Sequence, residues 1–157
     1  MEQREYEEKL KEWLKSNNVC AEHLSFNQSC HSVKEAAKAA NADTDEIVKN
    51  ICMIDSKNNL IIAIVKGESR ASTTNVGKAL SVERPRTATP EEILIKTGYP
   101  CGGTPSFGFD VIFLIDPKVM EKEFVYTGGG SESSLIKIST IELQKANKGK
   151  IIKIRKK

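Results

Sequence analysis

The chain has 157 residues, of which 39% are hydrophobic and 29% charged, so it is long enough for one sizeable core but not for two ordinary domains. The formal net charge is only +3, and no apolar run approaches the roughly 20 residues that cross a bilayer, which excludes a transmembrane helix. The charged first segment lacks the apolar core of a signal peptide, so we expect a cytoplasmic protein.

The first predicted element is an amphipathic helix over residues 3–16. Its apolar residues Leu10, Trp13 and Leu14 share one stripe, which needs a surface to cover. We therefore expect residues 1–18 to form a peripheral helix and residues 19–157 to form the main domain.

Four further helices are predicted where an N-cap residue precedes a glutamate by three positions, because each side chain can then bind the other residue's free amide. In chain order these pairs are Ser32 with Glu35, Asp43 with Glu46, Thr89 with Glu92, and Ser139 with Glu142. They predict helices over residues 33–40, 44–49, 90–97 and 140–147, and the apolar pattern adds one over 71–80.

Short apolar or alternating segments between these helices predict six strands. In chain order they cover residues 51–55, 60–66, 111–116, 123–127, 135–139 and 151–155, with a hairpin turn at DSKNN. The strands mostly follow one another and the helices are inserted irregularly, which indicates a single α+β domain with a mixed sheet.

The motifs that usually mark an enzyme are missing from this sequence. There is no P-loop, nucleophile elbow or GxGxxG motif, and the four cysteines form no CxxC pair, so we expect neither a metal site nor a cofactor. The two histidines, His23 and His31, are interpreted as capping or surface residues rather than bases. An enzyme with this sequence would have to work without a side-chain triad.

The stretch TGYPCGGTPSFGFD, residues 97–110, is a candidate site because its glycines allow close approach to the main chain. Amides at Gly102 and Gly103 could stabilise an oxyanion on an attacked carbonyl. Two alternatives stay open: a purely structural loop between helix and strand, and a Cys101 thiolate acting as nucleophile.

Lys49 and a second glycine run, Gly128 to Gly130, complete the set of candidates. Lys49 stands at the junction of the predicted 44–49 helix and a predicted strand, so it either complements the helix dipole, which the spacing favours, or projects into a pocket to meet an anion. Two glycine-rich loops suggest two walls of one pocket. The tail KANKGKIIKIRKK, with seven basic residues, either attracts phosphates or protects an edge strand.

Five segments in order resemble the YbaK/prolyl-tRNA-synthetase-associated domain family. They are SVKEAAKAA, DEIVKNICMID, ESRASTTNVGKAL, ATPEEILIKTGYPCGGTPSFG, and VYTGGGS followed by LIKIST, and together they cover about residues 19–145. The resemblance implies a curved, mixed, mostly antiparallel sheet flanked by helices. It also implies hydrolysis of mischarged aminoacyl-tRNA by a free-standing editing protein.

The resemblance assigns catalytic roles to Lys49, as the anchor of the substrate, and to Gly102 and Gly103, whose amides face the ester carbonyl. The residues it implies for substrate binding are Asn50, Thr104, Pro105, Ser106, Gly128, Gly129 and Gly130. In many members the first loop reads Gly, three residues, Pro. Here the proline comes one position early, and Ser106 stands in the expected proline position.

An aminoacyl ester is already activated, and its neighbouring ribose hydroxyl can position water, so orientation and an oxyanion hole can suffice without a triad. The resemblance therefore implies deacylation of Cys- or Ala-tRNA(Pro), with mischarged tRNA and a prolyl-tRNA synthetase as partners. The alternative is a non-catalytic tRNA- or synthetase-binding module with the same fold. A small-molecule thiol hydrolase that uses Cys101 is a third possibility.

Overall fold

The structure is a computed structural model that describes residues 2–157. The five helices are α1 (Gln3–Ser16), α2 (Val33–Ala40), α3 (Thr73–Leu80), α4 (Pro90–Thr97) and α5 (Thr140–Asn147). The eight strands are β1 (Ala21–Ser25), β2 (Val48–Ile54), β3 (Leu60–Lys66), β4 (Arg86–Thr87), β5 (Ile112–Ile115), β6 (Phe124–Gly128), β7 (Ser134–Ser139) and β8 (Lys150–Ile151).

The strands form two sheets. One is antiparallel with the order β1-β7-β6, and the other is mixed with the order β4-β2-β3-β5-β8. In the mixed sheet β3 pairs antiparallel with β2 and parallel with β5, and an isolated parallel bridge between Ile47 and Tyr126 links the two sheets. The predicted α+β architecture, mixed and mostly antiparallel with flanking helices, is confirmed.

Strand β3 explains the long apolar run LIIAIVK, because it is buried on both faces. Leu60, Ile62 and Ile64 belong to the main core, which also contains Leu10 and Leu14 of α1. The alternate residues of β3 belong to a second cluster under α3 and the carboxyl-terminal segment: Ile61, Ala63 and Val65. No helix within residues 2–157 is long and apolar enough to span a membrane.

The predicted helix starts are mostly confirmed. Reciprocal capping boxes are present at Ser32 with α2 and at Thr89 with α4. At α5 the Ser139 hydroxyl accepts from the Glu142 amide, but the Glu142 carboxylate accepts from the Cys20 amide instead of completing the box. The capping box predicted at the start of α5 is therefore present only as the serine cap, because the Glu142 carboxylate binds a residue that is distant in the sequence.

The helix predicted over residues 44–49 was wrong. Only a 3₁₀ turn forms at Thr44–Glu46, and β2 begins at Val48, which pairs with Lys66 of β3. Pairing of this β-branched segment overrides the local helix signal. Lys49 consequently lies in a strand, and the interpretation that it complements a helix dipole was wrong as well.

The strand predicted over residues 151–155 was too long, since β8 covers only Lys150–Ile151. Beyond it the amides of Ile154 and Arg155 donate to the buried Asp116 carboxylate at 3.0 and 3.2 Å rather than to a strand. Strands β1 and β4 were not predicted, because neither has a clear apolar alternation and both depend on their partners.

Candidate functional site

A pocket of about 290 Å³ lies where β2, the first glycine loop, the end of β6 and the start of α2 meet. It brings together five of the predicted site residues: Lys49, Asn50, Gly102, Thr104 and Gly128. These residues come from three segments that are distant in the sequence. The fold therefore assembles the pocket, and no single motif contains it.

Lys49 enters the pocket from β2, where its backbone pairs with Val65 of β3. The side chain is half-buried. Burial, with a further contribution from the nearby Arg70 guanidinium, lowers the pKa of Lys49 below the ordinary lysine value. An anion bound in the pocket would favour the charged form of Lys49, so this lysine is suited to meet a phosphate or carboxyl group.

The first glycine loop turns sharply through a 3₁₀ turn at Cys101–Gly103. The Gly103 amide closes this turn by donating to the Pro100 carbonyl at 3.0 Å, whereas the Gly102 amide donates to no protein acceptor within residues 2–157. Gly102 lines the pocket and Gly103 is buried behind it. Of the two glycines, the Gly102 amide is the donor that remains free for a ligand.

The two glycine loops pack directly on each other. A Cβ built on Gly103 would lie 2.5 Å from the Ser131 nitrogen and 2.7 Å from the Gly130 carbonyl carbon. The Gly130 amide also donates to the Gly103 carbonyl at 2.8 Å. Both loops therefore need residues without side chains where they touch. Gly129 is buried against the Ser134–Leu135 backbone and Gly130 against the α1 backbone at Tyr6, and neither lines the pocket.

Asn50, Ser106 and Thr127 form a closed ring of three hydrogen bonds beside the pocket. The Asn50 Nδ2 donates to Thr127 Oγ1 at 2.9 Å, and the Ser106 hydroxyl donates to Asn50 Oδ1 at 2.7 Å. Because the single Ser106 proton is used there, the 2.6 Å contact between the two hydroxyls has Thr127 as donor. We call these three side chains the polar ring.

The polar ring also fixes the first glycine loop to β2. The second Nδ2 proton of Asn50 donates to the Thr104 carbonyl at 2.9 Å, and since a carbonyl only accepts, this bond sets the orientation of the amide. Pro105 and Ser106 are both buried and do not line the pocket. The predicted substrate-binding residue Ser106 thus lies behind the pocket wall, within bonding distance of a residue that lines it.

Of the two histidines, which the sequence indicated as capping or surface residues, His31 is exposed and His23 is half-buried. His31 lies on the pocket rim, where a Cβ on Gly102 would be 2.6 Å from His31 Nδ1 and 2.9 Å from Glu132 Oε1. His23 is half-buried, with Nε2 2.8 Å from the Gly129 carbonyl, and burial lowers its pKa. His31 directly precedes Ser32, the N-cap of α2. This neighbour was the one feature of the sequence that indicated the position of His31 at the start of α2.

The remaining wall of the pocket is largely apolar, and the sequence did not identify it as part of a site. Its side chains come from the start of α2, from the residue before β2 and from β7: Cys30, Val33, Ala36, Ile47 and Leu135. Burial raises the pKa of Cys30 to about 11, so this thiol stays neutral. Cys101 is exposed and also lines the pocket.

Within residues 2–157 the carboxylates close enough to share an ion are those of Asp43, Asp45 and Glu46. None of the three lines the pocket, and the Asp45 carboxylate is already paired with Lys122 at 2.7 Å. The ion pair between Asp45 and Lys122 and the 3₁₀ turn at Thr44–Glu46, which Asp43 precedes as the N-cap, account for this acidic group.

Comparison with known proteins identifies similar chains. The family model for the aminoacyl-tRNA editing domain matches residues 27–146. The uncharacterized protein YwhH of Bacillus subtilis (strain 168) is 22% identical over 142 residues, which cover 89% of this chain and 87% of that protein.

Two crystal structures are similar over nearly their whole lengths. One, of a hypothetical protein, has a TM-score of 0.86 and 25% identity and covers 94% of this chain and 99% of its own. The other, of a proposed trans-editing enzyme for prolyl tRNA synthetase, has a TM-score of 0.89 and 22% identity, with coverages of 97% and 98%.

Proposed function

The chain belongs to the aminoacyl-tRNA editing domain family, and on that premise we propose that it hydrolyses the ester bond of mischarged aminoacyl-tRNA as a free-standing editing protein. The observation that carries the proposal is that one pocket is lined by Lys49 and by Gly102, whose amide donates to no protein acceptor within residues 2–157. A cation and a main-chain donor in one pocket suit an ester whose carbonyl develops negative charge close to a phosphate.

In the proposed reaction water attacks the ester carbonyl carbon, and the Gly102 amide donates to the oxyanion that forms. The bond to the ribose oxygen then breaks, the ribose oxygen takes the proton that the attacking water gives up, and the free amino acid and the tRNA are released. The ribose hydroxyl next to the ester positions the attacking water. In this proposal the hydroxyl therefore takes the place of a protein base. Removal of one oxyanion donor typically raises the barrier by about 3 kcal/mol.

Lys49 is proposed as the anchor for the phosphate end of the terminal nucleotide. Asn50, Thr104 and Gly128 would line the pocket around the substrate. Gly103, Gly129 and Gly130 would fix the backbone of the two loops, and Pro105 and Ser106 would support the first one from behind. The small apolar wall around Ala36 and Cys30 favours a small side chain, so Cys- or Ala-tRNA(Pro) is the proposed substrate. The fold neighbour proposed to edit for prolyl-tRNA synthetase supports this choice of tRNA.

The test is a deacylation assay on alanyl- and cysteinyl-tRNA(Pro) in the presence of a chelator. We expect loss of the amino acid with the wild-type protein and at least a roughly tenfold lower rate with Lys49→Ala, about 1.4 kcal/mol of barrier. Lys137→Ala is the matched control, because Lys137 is also a half-buried strand lysine but lies outside the pocket, over the Phe124 and Tyr126 rings.

Three results separate the alternatives. Tight, salt-sensitive binding of tRNA without loss of the amino acid would favour the non-catalytic binding module. Activity that is lost in Cys101→Ser and indifferent to RNA would favour a thiol hydrolase. Failure to deacylate any tRNA charged with a small amino acid would overturn the proposal.

A further inference from the structure

A run of exposed cations leads away from the pocket, and it begins at the turn after β3. A Cβ on Gly67 in this turn would lie 2.6 Å from the Val33 side chain, and the Gly67 amide donates to the Ile47 carbonyl at 2.6 Å. Val33 and Ile47 both line the pocket. The turn therefore forms the outer side of the pocket wall, and the exposed Arg70 comes at its end.

The segment that begins with Arg70 pairs with the carboxyl-terminal tail. The Lys156 amide donates to the Arg70 carbonyl at 2.7 Å, and Ala71 forms an antiparallel bridge with Arg155. Farther along, the Ser72 amide donates to the Ile154 carbonyl at 2.7 Å. The basic tail is consequently joined to the pocket edge through main-chain bonds.

The tail is also anchored from its other side. Asp116 is 1% exposed and accepts from the Ile154 and Arg155 amides and from the Arg155 guanidinium, the last at 2.7 Å. This ion pair uses the charge of Arg155 within the fold. The anchoring leaves Lys156 and Lys157, the next two residues, exposed beside Arg70.

Arg70, Lys156 and Lys157 are all exposed, and within residues 2–157 none of them has a carboxylate within salt-bridge distance. The acid in the preceding turn, Glu68, accepts a hydrogen bond from the Thr44 hydroxyl at 3.3 Å instead. Like charges held together without counter-charges lower local stability and attract polyanions. We call these three residues the basic track.

We propose that the basic track binds backbone phosphates of the RNA next to the aminoacylated end and carries the strand from Lys49 to the surface of the carboxyl-terminal tail. The inference rests on the proposed function and names the part of the substrate that this surface contacts. A run of single-sign charge that starts at the pocket wall matches a polyanion whose end enters the pocket. The contacts are to phosphates, so they add affinity without reading sequence.

The experiment compares the triple variant Arg70→Gln, Lys156→Gln, Lys157→Gln with a control that removes the same charge elsewhere. The control is Lys15→Gln, Lys118→Gln, Lys145→Gln, since these lysines are exposed and without salt bridges within residues 2–157. Binding of uncharged tRNA is titrated with salt, so this arm does not depend on deacylation. Thermal melts of both variants check that the fold is retained.

For the basic-track variant we expect the slope of log affinity against log salt to decrease by about 0.7–0.9 for each phosphate that the variant no longer binds, or about two units in all. The control variant should change the slope by less than about half a unit. Equal slopes for the two variants, or an unchanged slope for the basic-track variant, would overturn the inference.

A second arm separates this inference from the proposed function. Deacylation is measured on charged tRNA and on an aminoacyl ester of adenosine, which lacks the strand that the basic track would bind. We expect the basic-track variant to raise KM for the charged tRNA alone. Equal effects on both substrates would overturn the inference, and inactivity of the wild-type protein on both would overturn the proposed function while the binding arm still decides the inference.

Discussion

Replacement of Ser106 by alanine should destabilise the protein and slow deacylation, although Ser106 does not line the pocket. Ser106 is 0% exposed, and its hydroxyl is bonded to Asn50 Oδ1 at 2.7 Å and to Thr127 Oγ1 at 2.6 Å. The change Ser106→Ala removes both bonds and opens the polar ring. A water molecule could take the place of the Ser106 hydroxyl only if the substitution left a cavity large enough to hold that water.

The magnitude follows from the bonds that are removed. Each neutral hydrogen bond contributes about 1 kcal/mol to folding, and the side-chain oxygen of the half-buried Asn50 loses its donor. We therefore expect the free energy of unfolding to decrease by about 2–3 kcal/mol. Asn50 keeps its bond to the Thr104 carbonyl, so the loop should remain attached but less well positioned.

A double-mutant cycle with Thr127→Val measures whether the ring acts as a unit. Urea unfolding of the two single variants and the double variant gives their interaction energy, which should lie between about 0.5 and 3 kcal/mol for groups in one network. As a matched control, Ser56→Ala removes an exposed serine in the turn between β2 and β3. Additive effects of Ser106→Ala and Thr127→Val would show that the ring does not exist in solution.

The same variants connect the ring to catalysis. Displacement of a positioned group by about 1 Å can cost roughly 100-fold in rate, so we expect kcat for Ser106→Ala to decrease by about 10- to 100-fold under conditions where the fold is intact. KM should change less, because Lys49 is untouched. An unchanged kcat in a variant with lowered stability would show that the ring supports the fold but not the reaction.

Three further predictions concern Lys49, Gly103 and Asp116. Because burial lowers the pKa of Lys49, KM for charged tRNA should rise with pH at values below the ordinary lysine pKa of about 10.4, and a KM–pH profile that stays flat through that value would contradict the anchoring role. Gly103→Ala forces a Cβ to within 2.5–2.7 Å of the Ser131 and Gly130 backbone, so calorimetry should show a loss of at least about 2 kcal/mol, and a variant as stable as the wild type would contradict this close packing of the two loops. Burial opposes ionisation of Asp116, but bonds from the Ile154 and Lys118 amides and from Arg155 outweigh it and lower its pKa; the stabilisation is therefore present above the ordinary value of about 3.9 and lost as pH falls below it. Asp116→Ala should cost about 3 kcal/mol at neutral pH and less at pH values below about 3, and a pH-independent cost would refute this assignment.

The local structure of this protein was largely predictable from its sequence. The N-caps at Ser32 and Thr89 and the Pro90 that begins α4 act within four residues, so neighbours along the chain are enough to place those helices. The apolar run of β3 likewise required burial on both faces, whatever the partners. The glycines at 102, 103 and 128–130 indicated close main-chain approach by residue type alone.

Predictions failed where a distant partner outweighed a local signal. The segment after Asp43 carries a helix start, yet pairing of Val48 with Lys66 makes it a strand. The Glu142 carboxylate leaves its own capping box for the Cys20 amide, 122 residues away in the chain. In both cases the competing contact joins residues that are not neighbours in the sequence, so a signal within a few residues does not reveal it.

The sequence by itself determined which residue types the site contains: a lysine at the junction of a predicted helix and a predicted strand, and two glycine-rich loops. Tertiary structure alone decided that Lys49 and Gly102 share a pocket, that Ser106 closes a ring with Asn50 and Thr127, and that His31 lies on the rim. The physical reason is the separation along the chain over which each interaction acts. Caps and glycine conformations depend on a few neighbouring residues, whereas the distance between side chains from three separate segments depends on the packing of both sheets.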